Sequence, residues 1–230
     1  MARVLNSAQI IAITTIAKEV LEVKISLPAG FTYLAGQFIQ VAIPMSSGEV
    51  LRSYSLSSYP GEPELELCVK LLPDGVGSNF FRALKSGDPI NFYGSVGRFI
   101  VPAEVTTPLV FVATGSGLAP IMGMIQDALL VRQIHEPIQL LFGVRTTEDL
   151  FWTEHLENLA QKFPHFTYNI TLSQPDPSWT GITGRVTAHL EALHPGAQYF
   201  LCGGAEMVAE VKQYLVAKGV LLQTIHLEIF

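Results

Sequence analysis

Side chains that can hydrogen-bond crowd one short stretch of the chain, "RSYSLSS", which spans residues 52 to 58. Its arginine presents a planar fork of donors that suits phosphate, its tyrosine offers a flat ring, and its serines both donate and accept hydrogen bonds. A packed core would have to satisfy all of these groups, since each one left unpaired costs about 1–3 kcal/mol. The stretch is therefore either an exposed edge strand or a polar platform built to hold a ligand.

Two glycine turns are candidate anion sites. "TGSGLAP", residues 114–120, lies between a buried strand and a helical pattern, and "DGVGSNFF", residues 74–81, precedes another helical pattern. A helix N-terminus directs N–H groups at an anion, and glycine lets a phosphate approach closely. Pro120 replaces the third glycine of the dinucleotide fingerprint, and Arg145 rather than an acid follows the second strand. The sequence therefore fits the conventional dinucleotide-binding fold poorly, although the first turn still predicts a bound nucleotide. Taken alone, each turn could also be a simple connection between a strand and a helix.

The elements that must position these groups change character near residue 102. Before it, short alternating runs separated by turn clusters predict an antiparallel β barrel or sandwich, with one helix N-capped by Ser78. After it, continuous apolar strands alternate with helical patterns, which predicts an α/β domain with a parallel sheet covered on both faces. We therefore expect two domains, a β barrel over residues 1–102 and an α/β domain over residues 103–230.

Composition excludes several classes of protein. The 230 residues carry a net charge of -6 and no basic run, which argues against nucleic-acid binding. The two cysteines, Cys68 and Cys202, cannot form a zinc site or a four-thiolate iron–sulfur cluster, and a chain of this size needs no disulfide, which favours the cytoplasm. The N-terminus is typical of a strand rather than a signal peptide. Residues 105–126 are uncharged, but their glycines and prolines favour a buried strand and helix over a membrane span.

The chain resembles the ferredoxin–NADP reductase superfamily of flavin-dependent oxidoreductases. The resemblance covers essentially the whole chain and rests on several motifs that occur in the same order as in that family. In the first domain they are "YLAGQF", "RSYSLSS", "GVGSNFF" and "GSVGRF". In the second they are "TGSGLAP", "LFGVRTTEDLFW", "FLCGG" and the final "HLEIF". The resemblance implies an FAD-binding β barrel followed by an NAD(P)-binding α/β domain.

Roles on the flavin side follow from this resemblance. Arg52 would pair with the FAD pyrophosphate, Tyr54 would lie against the isoalloxazine ring, and Ser55 would hydrogen-bond near flavin N5. The resemblance adds further FAD-binding positions, which are Ser53, Cys68, Val69, Lys70, Gly75, Gly77 and Ser78. The chemistry agrees with these placements, because an anionic linker meets arginine and N–H donors and a flat ring meets an aromatic one.

Roles on the nicotinamide side follow in the same way. The dinucleotide pyrophosphate would be accepted by Thr114, Gly115 and Gly117, and Cys202 and Gly203 would lie near the nicotinamide. Glu228 would position the nicotinamide and relay protons, and Phe230 would cover the flavin and move aside for hydride transfer. The implied catalytic residues are Ser55, Cys202, Glu228 and Phe230. Without the resemblance, Cys202 is an ordinary buried cysteine and "LEIF" a plain final strand.

The choice of nicotinamide donor depends on the segment after the third strand of the second domain. Plant-type members grip the adenosine phosphate there with a Ser-Arg pair, whereas this chain has Ser173 followed by Gln174, with Asp176 soon after. A carboxylate near a phosphate would repel it, which favours NADH over NADPH. Arg145 and Arg185 could still bind the adenosine phosphate of NADPH.

The resemblance implies an FAD enzyme that takes hydride from NAD(P)H and passes electrons to a separate acceptor, such as a ferredoxin, an oxygenase component or a small molecule. A separate acceptor is expected because this chain cannot bind its own cluster. One alternative is an NAD(P)H:free-flavin reductase, which uses flavin as a substrate. Others are an accessory flavoprotein subunit with little turnover of its own, and a binding protein without flavin.

Overall fold

The computed structural model describes residues 4–230, which form two six-stranded sheets, the first antiparallel and the second parallel. The predicted fold class, an antiparallel β domain followed by an α/β domain, is confirmed. The predicted division at residue 102 falls in the connection between the two sheets, within residues 97–108.

The first domain is a barrel made by alternating strands. Its strands are β1 (Leu5–Ala17), β2 (Val20–Ser26), β3 (Phe38–Met45), β4 (Gly48–Ser55), β5 (Glu64–Lys70) and β6 (Pro89–Val96), in the order β4-β3-β6-β1-β2-β5. A bridge between Leu56 and Leu67 joins the two outer strands and closes the barrel. Alternate residues such as Val23, Ile25 and Leu65 fill its interior, where each is fully buried.

Helix α1 (Val76–Ala83) begins earlier than the sequence predicted. Its N-cap residue is Gly75, in an extended conformation, so the prediction that Ser78 caps the helix is wrong. Ser78 lies inside the first turn, and its hydroxyl accepts a 2.8 Å hydrogen bond from the N–H of Leu72. The serine therefore ties the preceding turn to the helix, and it leaves the first N–H groups of α1 without a side-chain cap.

The second domain is a parallel sheet with helices on both faces. Its strands are β7 (Leu109–Thr114), β8 (Ile138–Val144), β9 (Phe166–Leu172), β10 (Ile182–Thr183), β11 (Gln198–Gly203) and β12 (Ile225–Ile229), in the order β10-β9-β8-β7-β11-β12. Its helices are α2 (Leu118–Gln126), α3 (Thr153–Lys162) and α4 (Ala205–Ala217). Phe111 and Phe200 pack against one face with α2, whereas Val110 and Leu201 pack against the other with α4. Because both faces of the sheet are covered, the sequences of its central strands are continuously apolar.

Two segments of the second domain differ from simple helices. Helix α2 continues into a π-helical turn at Asp127–Val131, and the helical pattern after β10 forms a 3₁₀ segment at Val186–Ala192. The uncharged residues 105–126 form β7, a glycine turn and α2. No helix among residues 4–230 combines the length and apolar character needed to cross a membrane.

Direct contacts hold the two domains together. The N–H of Lys18 donates to the carbonyl of Glu148 over 2.9 Å, and the indole Nε1 of Trp152 donates to Glu22 Oε2 over 2.8 Å. A Cβ on Gly123 of α2 would lie 2.7 Å from a carbonyl oxygen just beyond β4, so the absence of a side chain there permits close packing. These contacts set the shape of the space between the domains.

A cluster of charged groups lies near this interface. Glu66 accepts a 3.0 Å hydrogen bond from Ser57, and Lys24 Nζ lies 3.7 Å from Glu66 and 3.9 Å from Glu22. Burial is the main cause that raises the pKa of Glu66 to about 7, and the charges of Glu22 and Glu62 add to it. Ser57 and Lys24 act in the opposite direction. The folded chain therefore holds a proton on Glu66 at a pH where an ordinary carboxyl has lost it.

This proton makes stability depend on pH. The pKa of Glu66 is about 7 in the folded chain against 4.5 for an ordinary carboxyl, so its stabilisation is complete below pH 4.5 and is lost as the pH rises through about 7. As the pH rises from 5 to 8, we expect the loss of this proton to decrease the free energy of unfolding by up to about 3 kcal/mol. Urea unfolding of Glu66→Gln across this range should show a flatter pH dependence, whereas the exposed control Glu104→Gln should keep the original slope. An unchanged slope in Glu66→Gln would contradict the assignment.

Candidate active site

A cleft of about 1870 Å³ separates the barrel from the parallel sheet. On the barrel side it is lined by Arg52 to Ser55 and by the glycine turn before α1, including Gly75 and Gly77. On the other side it is lined by the turn after β7, including Thr114 and Gly115. Both candidate anion sites of the sequence therefore open onto one space.

The stretch "RSYSLSS" divides into two parts with different surroundings. Arg52, Ser53, Tyr54 and Ser55 line the cleft. The two serines that follow Leu56 are buried and paired inside the protein, one with Glu66 and the other with Tyr33 and a backbone N–H. The first four residues thus form the polar platform considered from the sequence, and the last two belong to a satisfied core.

Arg52 and Tyr54 adjoin the beginning of α1. A Cβ on Gly77 would lie 2.1 Å from the Tyr54 hydroxyl oxygen and 3.7 Å from Arg52 Cγ. The Tyr54 ring packs edge-on against Phe81 with 4.9 Å between centroids, and burial raises the pKa of its hydroxyl. Arg52 is exposed and donates one hydrogen bond, 2.9 Å long, to the carbonyl of Leu51. A diphosphate beside Gly77 would meet this guanidinium and the uncapped N–H groups of α1, so the donor set fits the FAD pyrophosphate.

The strand β5 supplies the next part of the barrel side. Cys68 and Lys70 line the cleft, as do Gly75 and Ser78 beyond the strand. The side chain of Val69 points the other way and is buried in the barrel core, because successive residues of a strand face opposite sides. Val69 can therefore contribute only its backbone to a ligand in the cleft.

Ser55 and Glu228 meet across the two domains. The Ser55 hydroxyl, at the end of β4, donates a 3.0 Å hydrogen bond to Oε1 of Glu228 on β12. Both residues line the cleft. Burial raises the pKa of Glu228, and the hydrogen bond from Ser55 partly opposes this effect. The carboxyl is therefore held in a fixed position and is easier to protonate than an exposed glutamate.

Cys202 lies directly beside Glu228 in the parallel pairing of β11 with β12. Its side chain is fully buried and does not line the cleft, so the thiol lies beneath the cleft surface. Burial, and to a smaller extent the charge of Glu228, raise the pKa of the Cys202 thiol. A protonated, covered thiol contributes packing beneath the site, whereas Gly203 lines the cleft itself.

Phe230 is held by its backbone and not by its side chain. Its N–H donates a 3.1 Å hydrogen bond to the carbonyl of Gly203, while 54% of the residue is exposed. The side chain lines the cleft next to Glu228 and Ile229. An anchored backbone with an exposed ring is compatible with the predicted role of Phe230 as a movable cover.

The turn after β7 combines an open part and a packed part. Nothing lies within 4 Å of a Cβ placed on Gly115, which has a φ of +54° and lines the cleft. Gly117 does not line the cleft, and a Cβ there would lie 2.3 Å from the carbonyl oxygen of Cys202. Thr114 and Gly115 are thus positioned to approach a pyrophosphate, while Gly117 allows the turn to pack on β11.

A methyl group at residue 117 should therefore disturb the protein more than one at residue 204. Gly117→Ala forces a contact with the backbone of Cys202, and we expect it to lower the free energy of unfolding by about 2 kcal/mol. Gly204→Ala is the matched control, since nothing lies within 4 Å of a Cβ there. Thermal or urea unfolding of both variants tests this difference. Equal stabilities would show that the turn is not tightly packed.

Several polar groups line the far end of the cleft at the carboxyl ends of β8 to β10. They are Arg145, Ser173, Gln174, Arg185 and Thr187. Asp176 does not line the cleft, because its carboxylate accepts hydrogen bonds from the hydroxyls of Thr147 and Ser178. These hydrogen bonds lower the pKa of Asp176, so the carboxylate keeps its charge, and its effect on a phosphate stays a prediction. Sequence reasoning missed two other acids that do line the cleft, Glu206 and Glu210, although both lie in the helical pattern directly after "FLCGG".

Comparison with known proteins decides the family. An oxidoreductase FAD-binding domain model matches residues 7–100, and an oxidoreductase NAD-binding domain model matches residues 111–213. Ferredoxin–NADP reductase B of Sorangium cellulosum (strain So ce56) is 32% identical over 96% of both chains. The chain belongs to the ferredoxin–NADP reductase superfamily. This family member is accordingly an NAD(P)H-dependent flavoprotein oxidoreductase.

Other relatives extend this comparison. The toluate 1,2-dioxygenase electron transfer component of Pseudomonas putida is 33% identical over 82% of this chain and 56% of its own length. The phenol 2-monooxygenase reductase component DmpP of Pseudomonas sp. (strain CF600) is 35% identical over 82% of this chain and 54% of its own. The present chain thus spans about half of the length of these two proteins.

Solved structures show the same fold. The Amycolatopsis cytochrome P450 reductase GcoB superposes with a TM-score of 0.89 at 29% identity, over 100% of this chain and 71% of its own. A ferredoxin NADP+ reductase from Neisseria gonorrhoeae with bound FAD and NADP has a TM-score of 0.86 at 22% identity, over 98% of both chains. At 22% identity, the similarity to the Neisseria gonorrhoeae structure shows a shared fold alone.

Proposed function

We propose that this reductase binds FAD tightly in the barrel side of the cleft, oxidises NADH there, and delivers electrons to a separate acceptor, either a ferredoxin or an oxygenase component. The observation that carries the proposal is the hydrogen bond from Ser55 to Glu228, which joins the two domains inside the cleft. It brings together the residues that the resemblance assigns to flavin and to nicotinamide, although they lie 173 positions apart in the chain.

The barrel residues would hold FAD by its charged and its flat parts. Arg52 and the N–H groups at the start of α1 would bind the pyrophosphate, and Tyr54 would lie against the ring system. Ser78 and Lys70 would complete the site from the same side of the cleft. Bound FAD supplies an acceptor for the nicotinamide hydride and can release the electrons one at a time.

The residues between the domains would orient the nicotinamide. Ser55 holds Oε1 of Glu228 in place, and burial raises the pKa of Glu228, so this carboxyl is easier to protonate than an exposed glutamate. Phe230 would exclude water from the ring face until the nicotinamide displaces its side chain. The buried Cys202 thiol would support the floor of this pocket without touching the substrate.

NADH is the proposed donor because of the residues at the adenosine end of the cleft. Ser173 is present, but Gln174 lacks the positive charge that would bind a 2′-phosphate. Glu206 and Glu210 line the same cleft and add negative charge to it. A 2′-phosphate there would have Arg145 and Arg185 as cationic partners, but it would also face the negative charge of these two glutamates.

A separate acceptor is proposed because the sequence has only two cysteines, too few for a four-thiolate cluster. Two of the similar proteins are named as an electron transfer component and a reductase component of oxygenase systems, and the match covers only 56% and 54% of their own lengths. Both cysteines are free and buried, which fits the reducing cytoplasm that we propose as the location.

Gel filtration followed by an assay with NADH and an artificial electron acceptor tests the proposal. We expect the protein to keep a flavin absorbance spectrum and to oxidise NADH without added flavin. A colourless protein that needs free flavin would support the free-flavin reductase instead. A yellow protein with negligible turnover would support the accessory subunit.

Replacing the proposed cover should improve nicotinamide binding. Phe230→Ser removes the ring that the nicotinamide would have to displace, and we expect NAD+ to bind about tenfold more tightly to the holoprotein. Leu227→Ser changes an exposed residue of β12 that does not line the cleft, so this control variant should bind NAD+ as the wild type does. Calorimetric titration measures both affinities. An unchanged affinity in Phe230→Ser would remove the residue from this role.

A further inference from the structure

An ion pair spans the far end of the cleft. Nη1 of Arg185 lies 3.3 Å from Oε1 of Glu206, and both residues line the cleft. Arg185 precedes the 3₁₀ segment after β10, whereas Glu206 lies in the first turn of α4. Their side chains are 66% and 73% exposed, so each is accessible to a ligand in the cleft. The pair comes from two elements that pack on the same face of the sheet.

The order of the strands indicates which half of the dinucleotide lies near this pair. The turn proposed to bind the pyrophosphate follows β7, in the middle of the order β10-β9-β8-β7-β11-β12. Glu228 of the reaction centre lies on β12, at one edge of the sheet, so the nicotinamide extends to that side. The adenosine half must then extend in the other direction, over the ends of β8, β9 and β10.

Arg185 is placed at these ends by backbone pairing. The N–H of Gly184 donates a 2.8 Å hydrogen bond to the carbonyl of Leu172, so Arg185 and Ser173 follow neighbouring strand ends. Arg185 is therefore one of two arginines at these strand ends, with Arg145 after β8, whose forks of donors would meet a 2′-phosphate on the adenosine ribose. In the structure the fork of Arg185 already faces the carboxylate of Glu206.

We propose that Glu206 is a positioning residue that occupies Arg185 and thereby makes the enzyme discriminate against a 2′-phosphate. A 2′-phosphate would have to displace the carboxylate from Arg185 and would be repelled by it, whereas the free 2′-hydroxyl of NADH meets neither cost. The inference rests on the proposed function, because it assigns the preference for NADH to one residue. It replaces Asp176, whose carboxylate is held by Thr147 and Ser178 outside the cleft lining.

Binding of two small nucleotides to the holoprotein tests this role directly. The probes are 5′-AMP and its 2′-phosphorylated form, and the measured quantity is the ratio of their dissociation constants by calorimetry at low ionic strength. We expect Glu206→Gln to improve the relative affinity for the 2′-phosphorylated probe by about fivefold, and Glu206→Asp to restore part of the discrimination. In an Arg185→Ala background the effect of Glu206→Gln should fall to less than half. Asp176→Asn is the matched control and should keep the wild-type ratio.

The outcomes separate this inference from the proposed function. A ratio within twofold of wild type in Glu206→Gln, an equal change in Asp176→Asn, an undiminished effect without Arg185, or no binding of either probe would each overturn the inference. The probes carry no nicotinamide, so the ratio is measured independently of hydride transfer. A protein that shows the expected shift but does not oxidise NADH would reject the proposed reaction and still support the role of Glu206.

Discussion

The Ser55→Ala variant is expected to keep its FAD and to be reduced by NADH about a hundredfold more slowly than the wild type. The substitution removes the 3.0 Å hydrogen bond to Glu228 and leaves a half-buried carboxyl without its donor. Losing such a bond to a charged group costs about 1.5–3 kcal/mol, and 1.4 kcal/mol corresponds to a factor of ten in rate. The bond also counteracts the effect of burial, so its loss should raise the pKa of Glu228 further.

Anaerobic stopped-flow measurement of flavin reduction over a range of pH tests both expectations. The part of the rate profile that reports Glu228 should move to higher pH in Ser55→Ala. Ser53→Ala is a matched control, because Ser53 lines the cleft on the same strand and makes no hydrogen bond to Glu228. A wild-type rate in Ser55→Ala, or an equal loss in both variants, would remove Ser55 from the reaction centre.

The Arg52→Ala variant is expected to lose FAD about a hundredfold more readily than the wild type. Arg52 lies beside Gly77 at the start of α1, and its exposed guanidinium is available to a diphosphate in the cleft. A charge-assisted bond of this kind contributes about 1.5–3 kcal/mol, equivalent to roughly a tenfold to hundredfold change in affinity. Removing both the charge and the paired donors places the expected loss at the upper end of this range.

Fluorescence titration of the apoprotein with FAD measures this loss. Arg52→Lys should recover only part of the affinity, since an ammonium group lacks the fork that binds two phosphate oxygens. Arg82→Ala is the control, because Arg82 is paired with Glu19 and does not line the cleft. Tight FAD binding by Arg52→Ala would show that the pyrophosphate is held elsewhere.

Much of the fold could be predicted from periodicity. Alternating apolar residues in β2 and β5 indicate strands with one buried face, and continuous apolar runs such as β7 and β8 indicate a sheet covered on both faces. The change between these patterns locates the connection between the two sheets. Each of these patterns lies within one short segment of the chain, so it can be recognised without knowing the tertiary contacts.

The details of the candidate site depend on contacts that no local pattern contains. The sequence does not show that Ser78 lies inside α1, that Val69 faces the barrel core, or that Gly117 packs on β11. Asp176 was expected to face a phosphate, but the hydroxyl of Ser178 in the same loop and that of Thr147 from another segment hold its carboxylate. Such outcomes are set by tertiary packing, and the resemblance to a known family assigned catalytic roles to Ser55 and Glu228 without predicting the hydrogen bond between them.

Anaerobic titration of the purified holoprotein with NADH is the most direct test of the central claim that a flavin in the cleft accepts hydride from a nicotinamide. We predict that the visible flavin absorbance decreases in proportion to added NADH and that this bleaching is complete at one equivalent of NADH per FAD. NADPH should bleach it with a much lower apparent affinity. Flavin absorbance that persists in the presence of excess NADH and excess NADPH would contradict the account.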